Sequence, residues 1–280
     1  MTNQVLHVDS IPSHLRSDCE NCFGLCCVAL PYAKSGDFAF DKDGGTPCRN
    51  LQSDYRCGIH TKLREKGFKG CTVYECFGAG QKVSQVTYKG LDWRENPESS
   101  KEMFDVFPIV QQLHEMLVYL QEALQLEVTH PLHKDLQRLF EETEQLTERS
   151  ASSILALDIP THRANVSDLL SKTSELVRGK VKKDKNQKTI KKGTALLGAN
   201  LKGAYLRGSN FRGGLLIACN LQNADLRMCD FLGADLRDAD ISGANLQGSI
   251  FLTQAQINAA NGDKNTKLPN SLKTPQHWLN

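Results

Sequence analysis

The sequence predicts a multidomain chain with an N-terminal Cys-rich metal-binding domain over residues 1–97 and an α-helical middle region over 98–178. A basic linker over 179–193, a solenoid over 194–253 and a helical C-terminal cap over 254–280 complete it. Three observations carry this reading. Eight of the ten cysteines lie between Cys19 and Cys76, leucines recur at three- and four-residue steps from Phe104 to Val177, and a five-residue period runs without insertion from Thr194.

The totals set bounds. With 280 residues and 40% hydrophobic content the chain can bury more than one core. Lys and Arg (34) nearly balance Asp and Glu (32), so no overall charge excess points to nucleic acid, a membrane surface or an acidic partner. Residues 1–18 lack the basic start and apolar run of a secretory signal, and no segment is apolar enough to span a bilayer, so the expectation is a cytoplasmic protein. In that reducing compartment ten cysteines read as metal ligands, redox groups or core residues, not as a disulfide framework.

The N-terminal stretch reads CENCFGLCC from Cys19 to Cys27, followed by Cys48, Cys57, His60, Cys71 and Cys76. Two-residue spacing between Cys19 and Cys22 lets a tight turn present both sulfurs to one ion, and Gly24 frees the backbone to curl behind them. Cys57 and His60 repeat that spacing with an imidazole. Eight thiols with His60 can complete two tetrahedral zinc sites or supply the shell of an iron–sulfur cluster. Side chains of neighbours such as Cys26 and Cys27 point apart in extended backbone, so one of them serves another site or is buried.

The segment from Cys19 to Cys76 resembles cysteine-cluster domains described as zinc- or iron-chelating, most distinctively in its opening C-x2-C-x3-C-C. That resemblance implies metal binding at Cys19, Cys22, Cys26 and Cys27. The competing readings are eight structural thiols without metal, or a reactive thiolate such as Cys71 near Lys69, for which no base partner can be assigned. Gly78-Ala79-Gly80 reads as a turn, since it lacks the third glycine of a nucleotide loop.

From Phe104 the texture is helical. Ile109, Leu113, Met116, Leu117, Leu120 and Leu124 form one amphipathic stripe with Pro108 near its start. A second pattern follows Pro131 with Leu132, Leu136, Leu139, Phe140 and Leu146, and a third runs from Val166 to Val177 after the break at Asp158-Ile159-Pro160. These stripes read as core packing in place of a cofactor groove. Between Arg178 and Lys192 eight basic residues meet the single acid Asp184. Such a run can lie along phosphates, but it has no aromatic residue for base stacking and reads as a solvated tether.

The five-residue period places Leu196, Leu201, Leu206, Phe211, Leu216, Leu221, Leu226, Phe231, Leu236, Ile241, Leu246 and Phe251 at its centre, with a small residue two positions earlier. A period of two suits a flat strand and 3.6 a helix, so a strict five demands a solenoid. The motif, small then Asp or Asn then Leu or Phe, resembles the pentapeptide-repeat family. The resemblance implies a right-handed quadrilateral β-helix with four repeats per coil, here three coils. At the interstrand spacing that is a prism about 14 Å tall. Thr253 with Gln256 has capping-box spacing for a short terminal helix, with Trp278 and Leu268 as lids and Cys219 and Cys229 in small inward positions.

Some family members protect DNA gyrase from quinolones through an acidic rod that imitates duplex DNA. Here five bases cancel five acids over the twelve repeats. Columns twenty residues apart align Arg207 with Arg227 as a small basic stripe and Leu232 with Leu252 as an exposed apolar pair, and these four residues are the expected partner-binding positions.

The expected function is a metal-binding, non-catalytic scaffold or sensor that engages a protein partner, with zinc, or else iron or an iron–sulfur cluster, as cofactor. No membrane is expected as a partner, and no nucleic acid outside the 178–192 run. The alternatives are a redox protein or enzyme with an iron–sulfur centre and a topoisomerase-directed resistance protein.

Overall fold

The computed structural model describes residues 11–181, 190 and 196–279. It is mostly helical. The helices are α1 (Leu25–Val28), α2 (Lys69–Thr72), α3 (Ala79–Gln81), α4 (Pro97–Gln125), α5 (His133–Thr147), α6 (Ala151–Leu155), α7 (Ile159–Gly179) and α8 (Gln254–Ala259). Among the described residues no helix is long and apolar enough to cross a membrane. The residues divide into two compact units, one of Ile11–Gln121 with Lys134–Asp168, the other of Glu122–His133 with the described residues from Leu169 onward.

In the first unit α4 presents Met103, Val106, Phe107 and Val110 at helical spacing, all fully buried. They close a core with Leu25, Val28, Ala79, Val83, Trp93 and Ile154. Burying each large apolar side chain contributes about 1.5–3 kcal/mol. The sequence places Pro108 near a helix start, but the helix begins eleven residues earlier at Pro97, and Pro108 lies inside its 29 residues. Pro97 takes the first-turn position where a missing N–H costs nothing. Trp93 donates its indole N–H to Phe23 O at 2.9 Å, and Arg94 reaches Ser53 O and Gln52 O at 2.7 and 2.9 Å, which pins the cysteine loops to the helical core. Gly78 sits at φ 81° with no room for a side chain, since a Cβ there would lie 2.0 Å from His14 O.

In the second unit the coils of the repeat meet through parallel bridges twenty residues apart, from Asn200 with Asn220 to Asp230 with Ile250. The pairings are isolated bridges and not continuous strands. Each repeat contributes one extended residue before turning a corner, so little strand accumulates. The corner after each central residue lies in the left-handed region, usually at glycine but also at Ala218, Asn223, Met228 and Asp238. The Asp or Asn of the repeat has a local use: its side-chain oxygen accepts the N–H two residues on, as Asn220 does from Gln222 at 3.1 Å and Asp230 from Leu232 at 2.9 Å.

The interior follows the sequence pattern. Leu206, Leu216, Leu221, Leu226, Phe231, Ile241 and Leu246 are fully buried, and Phe211 stacks on Phe231 with ring centroids 5.2 Å apart. Cys219 and Cys229 are buried, with their thiols on Ala199 O and Leu206 O at 3.1 and 3.2 Å. Thr253 caps α8 through a capping box with Gln256, and Trp278, buried, donates to Ala260 O at 3.0 Å. Leu268 packs against the same core, half-buried.

One side of the solenoid is covered within its own unit. Asp230 is fully buried, Ile250 nearly so, and Arg212 is 6% exposed with its guanidinium 3.9 Å from Asp230. Glu122, from the end of α4, accepts the Phe251 N–H at 2.9 Å. Phe251 itself holds φ 58°, a conformation a bulky residue adopts only when its surroundings impose it. Arg178 reaches Gly208 O at 3.3 Å on the same unit.

Candidate metal centre

All ten cysteines are free thiols. The eight N-terminal ones are placed by short turns. Asp18 accepts the Glu20 N–H and starts the turn Cys19–Asn21, leaving Cys19 exposed and Cys22 half-buried. Gly24, at φ 68°, approaches Leu51 and Tyr55 too closely for a side chain and turns the chain into α1, which carries Cys26 and Cys27. Cys48 donates its N–H to Cys27 O at 2.8 Å, Cys57 pairs with Leu51, and Cys71 lies on α2. Cys76 precedes α3 and accepts the Ala79 N–H on its carbonyl at 2.9 Å.

The thiols fall into two groups with Cys26 between them. Cys19, Cys22 and Cys76 lie within one another's electrostatic reach. Gly80 makes room for two of them, because a Cβ there would meet Cys22 Sγ at 2.7 Å and Cys76 Sγ at 4.0 Å. Cys27 hydrogen-bonds with Cys57 and feels Cys48, and Cys71 feels both Cys48 and Cys57. Cys26 hydrogen-bonds with Cys27 yet, together with Cys22 and Cys76, also acts on Tyr74. Burial, with Cys76 and Cys19 adding to it, pushes Cys22 up to about 11, and burial with Cys48 and Cys57 does the same for Cys71. The hydrogen bond between Cys27 and Cys57 raises Cys57, and burial adds to it.

Among the described residues no three His, Cys, Asp or Glu side chains converge closely enough to hold a metal ion. The thiols meet as pairs and chains. His60 stands exposed at the start of a turn with its backbone N–H on Cys57 O at 3.1 Å. Polar neighbours that the cysteine spacing gave no sign of surround the thiols: Ser17 Oγ is 3.0 Å from Cys76 Sγ and bonds Glu75, while Tyr32 donates its hydroxyl to Cys48 Sγ at 3.3 Å.

The expected partner face needs correction. Leu252 is 7% exposed and belongs to the solenoid core with Ile257 and Trp278, and Leu232 is half-buried, so the pair is no exposed patch. Their column lies on the covered side, beside Arg212 and Asp230. Arg207 is exposed, and Arg227 grips Asp225 through two bonds of 2.7 and 2.6 Å. Asp235 is held likewise by Arg237. Among the described residues of the solenoid the exposed large apolar side chains are Leu197, Tyr205 and Leu215. Most of the basic run, Lys182 to Lys188 with Lys191 and Lys192, and the first repeat residues Thr194 and Ala195 lie outside the described residues.

A family model of pentapeptide repeats matches eight copies over residues 192–214 and 215–251. The chain is 68% identical over 278 residues to the uncharacterized protein YybG of Bacillus subtilis, covering 99% of this chain and 100% of that one. A pentapeptide repeat protein from the thylakoid lumen of Arabidopsis thaliana, solved by crystallography, is 25% identical over 33% of this chain and 63% of its own, with a TM-score of 0.16.

Proposed function

The chain belongs to the pentapeptide-repeat proteins, in one family with YybG of Bacillus subtilis, and we propose that it is a cytoplasmic, non-catalytic interaction scaffold whose N-terminal thiols bind a soft metal ion. The solenoid, in this reading a right-handed quadrilateral β-helix, presents the partner surface. The metal fastens the N-terminal segment.

The observation that carries the metal reading is the grouping of the eight thiols. Cys19, Cys22 and Cys76 neighbour one another, Cys27, Cys48, Cys57 and Cys71 follow as a chain with Cys26 between, and eight thiols are the number two tetrahedral thiolate sites would require once the loops draw together. The donor chemistry fits a soft ion: the eight N-terminal cysteines are all free thiols, which a dication would bind as thiolates. His60 stands outside both groups. Zinc would act here as a structural cross-link, closing loops as long as that from Cys27 to Cys71.

Purification without oxygen, with zinc, iron and inorganic sulfide measured in one sample, tests this. Two equivalents of zinc on a colourless protein are expected. Iron with sulfide on a brown protein would replace the structural role with a redox one, and a folded chain with neither would end the metal reading. Gly80→Ala adds a methyl 2.7 Å from Cys22 Sγ, which must shift, and should cost one equivalent of metal while the other remains.

For the partner surface, Leu197, Tyr205 and Leu215 supply exposed apolar area that the neutralised acids of the solenoid do not. Leu215→Asp should change stability by no more than about 0.5 kcal/mol, as exposed positions do. Its effect belongs in binding, read by loss of proteins cross-linked to the wild-type chain in its native host. Retention of all of them would remove this face from the proposal.

A further inference from the structure

We propose that the side of the solenoid centred on Tyr205 binds single-stranded nucleic acid, with a base stacked on the tyrosine ring and phosphates along Lys202, Arg207 and Arg178. Neither the metal nor the protein-partner reading is needed for it, and every residue involved belongs to the solenoid unit. Residues five apart fall on successive sides and residues twenty apart stack, as the Tyr205–Asp225 and Asp225–Asn245 bridges show. In the first coil Tyr205 is the outward residue of its side and 56% exposed, while Ala204 and Leu206 to either hand are buried.

The corners that bound this side carry Lys202 before the ring and Arg207 after it, both exposed. One coil below, about 4.8 Å away by the ladder spacing, stand Asp225 and Arg227. Arg227 holds that carboxylate through its two bonds, so three cations face one acid that is already neutralised. Helix α7 adds charge at the same corner. Arg178 donates its Nε–H to Gly208 O at 3.3 Å, and Val181 lies against Gly208, where a Cβ would meet its side chain at 3.0 Å. The basic run 178–192 therefore starts beside Arg207. In sequence that run has no aromatic residue for stacking, and the fold supplies one in Tyr205.

Cations alone attract any polyanion, duplex and acidic protein included. An exposed ring set among them selects for unpaired bases, whose faces are free to stack. The surroundings of Tyr205 are polar: Asn200 and Asn210 are the outward residues of the adjoining sides, and Asp225 and Asn245 stack below it. Leu215, ten residues on, belongs to the opposite side of the coil. The ring thus has no apolar patch around it for a protein partner to bury.

The test titrates the full chain into a fluorescein-labelled oligothymidine strand of about twenty nucleotides and, separately, into a duplex of the same length, reading anisotropy at about 50 and 200 mM salt. The strand should bind more tightly than the duplex and weaken as salt rises. Tyr205→Ala should loosen the strand at least about fivefold, and Tyr205→Phe should leave it unchanged, since stacking needs the ring and not the hydroxyl. Arg207→Gln should lower the slope of log affinity against log salt by about 0.7, the share of one phosphate contact. Equal binding of strand and duplex, or an unchanged affinity in Tyr205→Ala, would assign the attraction to the charge of the 178–192 run alone and overturn the site. No binding of either probe would overturn it too and leave Tyr205 to a protein partner. The strand-against-duplex comparison in the wild-type chain keeps its force even if a variant does not fold.

Discussion

Glu122→Gln should stabilise the solenoid unit at pH 8 and leave it unchanged at pH 4. Burial raises the Glu122 carboxyl to about 8, against which the Phe251 hydrogen bond works, and Asp230 adds to the rise. Between its ordinary value of 4.5 and about 8 the folded chain keeps a proton that the unfolded chain releases. Stability from this group is therefore complete below pH 4.5, falls as pH rises, and is lost above about 8. Asp230 is buried nearby, with Arg212 beside it. A shift of this size corresponds to at most about 5 kcal/mol, and the half-buried side chain, partly screened by water, reduces that to about 2–3 kcal/mol. Glutamine is neutral throughout and still offers an oxygen to Phe251 N–H. Denaturant unfolding at pH 4, 6 and 8 should show the stability of the variant rising relative to that of the wild-type chain as pH increases, over whatever slope the other titrating groups give both. Parallel slopes would mean that Glu122 is not the titrating group.

Phe231→Ala should unfold the solenoid from the middle. Phe231 is fully buried in the second coil and stacks on Phe211 of the first, and removing a core phenylalanine costs about 3–5 kcal/mol. A repeat is supported only by its neighbours, so the loss has no distant core to absorb it. Hydrogen exchange should lose protection at Leu216, Leu221 and Leu226, while Val106, Phe107 and Val110 in the other unit keep theirs. Unchanged protection at Leu221 would contradict a core shared between coils. Leu232→Ala, half-buried one position on, is the control and should cost far less.

The solenoid was legible because its period is local: large and small residues alternate toward one axis, and the bridges twenty residues apart follow from four five-residue sides. The capping box at Thr253 was legible for the same reason. The covered side was not. Leu252 has the sequence context of an exposed column yet is buried with the solenoid core, beside Ile257 and Trp278. Nothing at positions 251 and 252 announces a carboxylate from residue 122.

At the thiols the spacing named eight cysteines whose side chains do not converge in threes among the described residues, and adjacent Cys26 and Cys27 share one short helix, with Cys26 also acting on Tyr74. His60 repeats the two-residue spacing from Cys57 yet is exposed, at the start of the turn His60–Lys62. The burial of Lys42 gave no signal at all. A lysine reads as surface until its backbone pairing with Tyr32 carries it inside.

The hydrogen bond from Phe251 to Glu122 joins residues 129 apart in the chain, whereas each coil-to-coil bridge joins residues 20 apart. Closing the longer loop costs about 1.7 kcal/mol more in chain entropy. The coils can therefore zip onto one another, each held by its neighbour, before that carboxylate arrives. The strained Phe251 conformation and the burial of Asp230 then belong to the end of folding, and the rate at which this last contact forms and breaks sets how long the covered side of the solenoid stays open after synthesis.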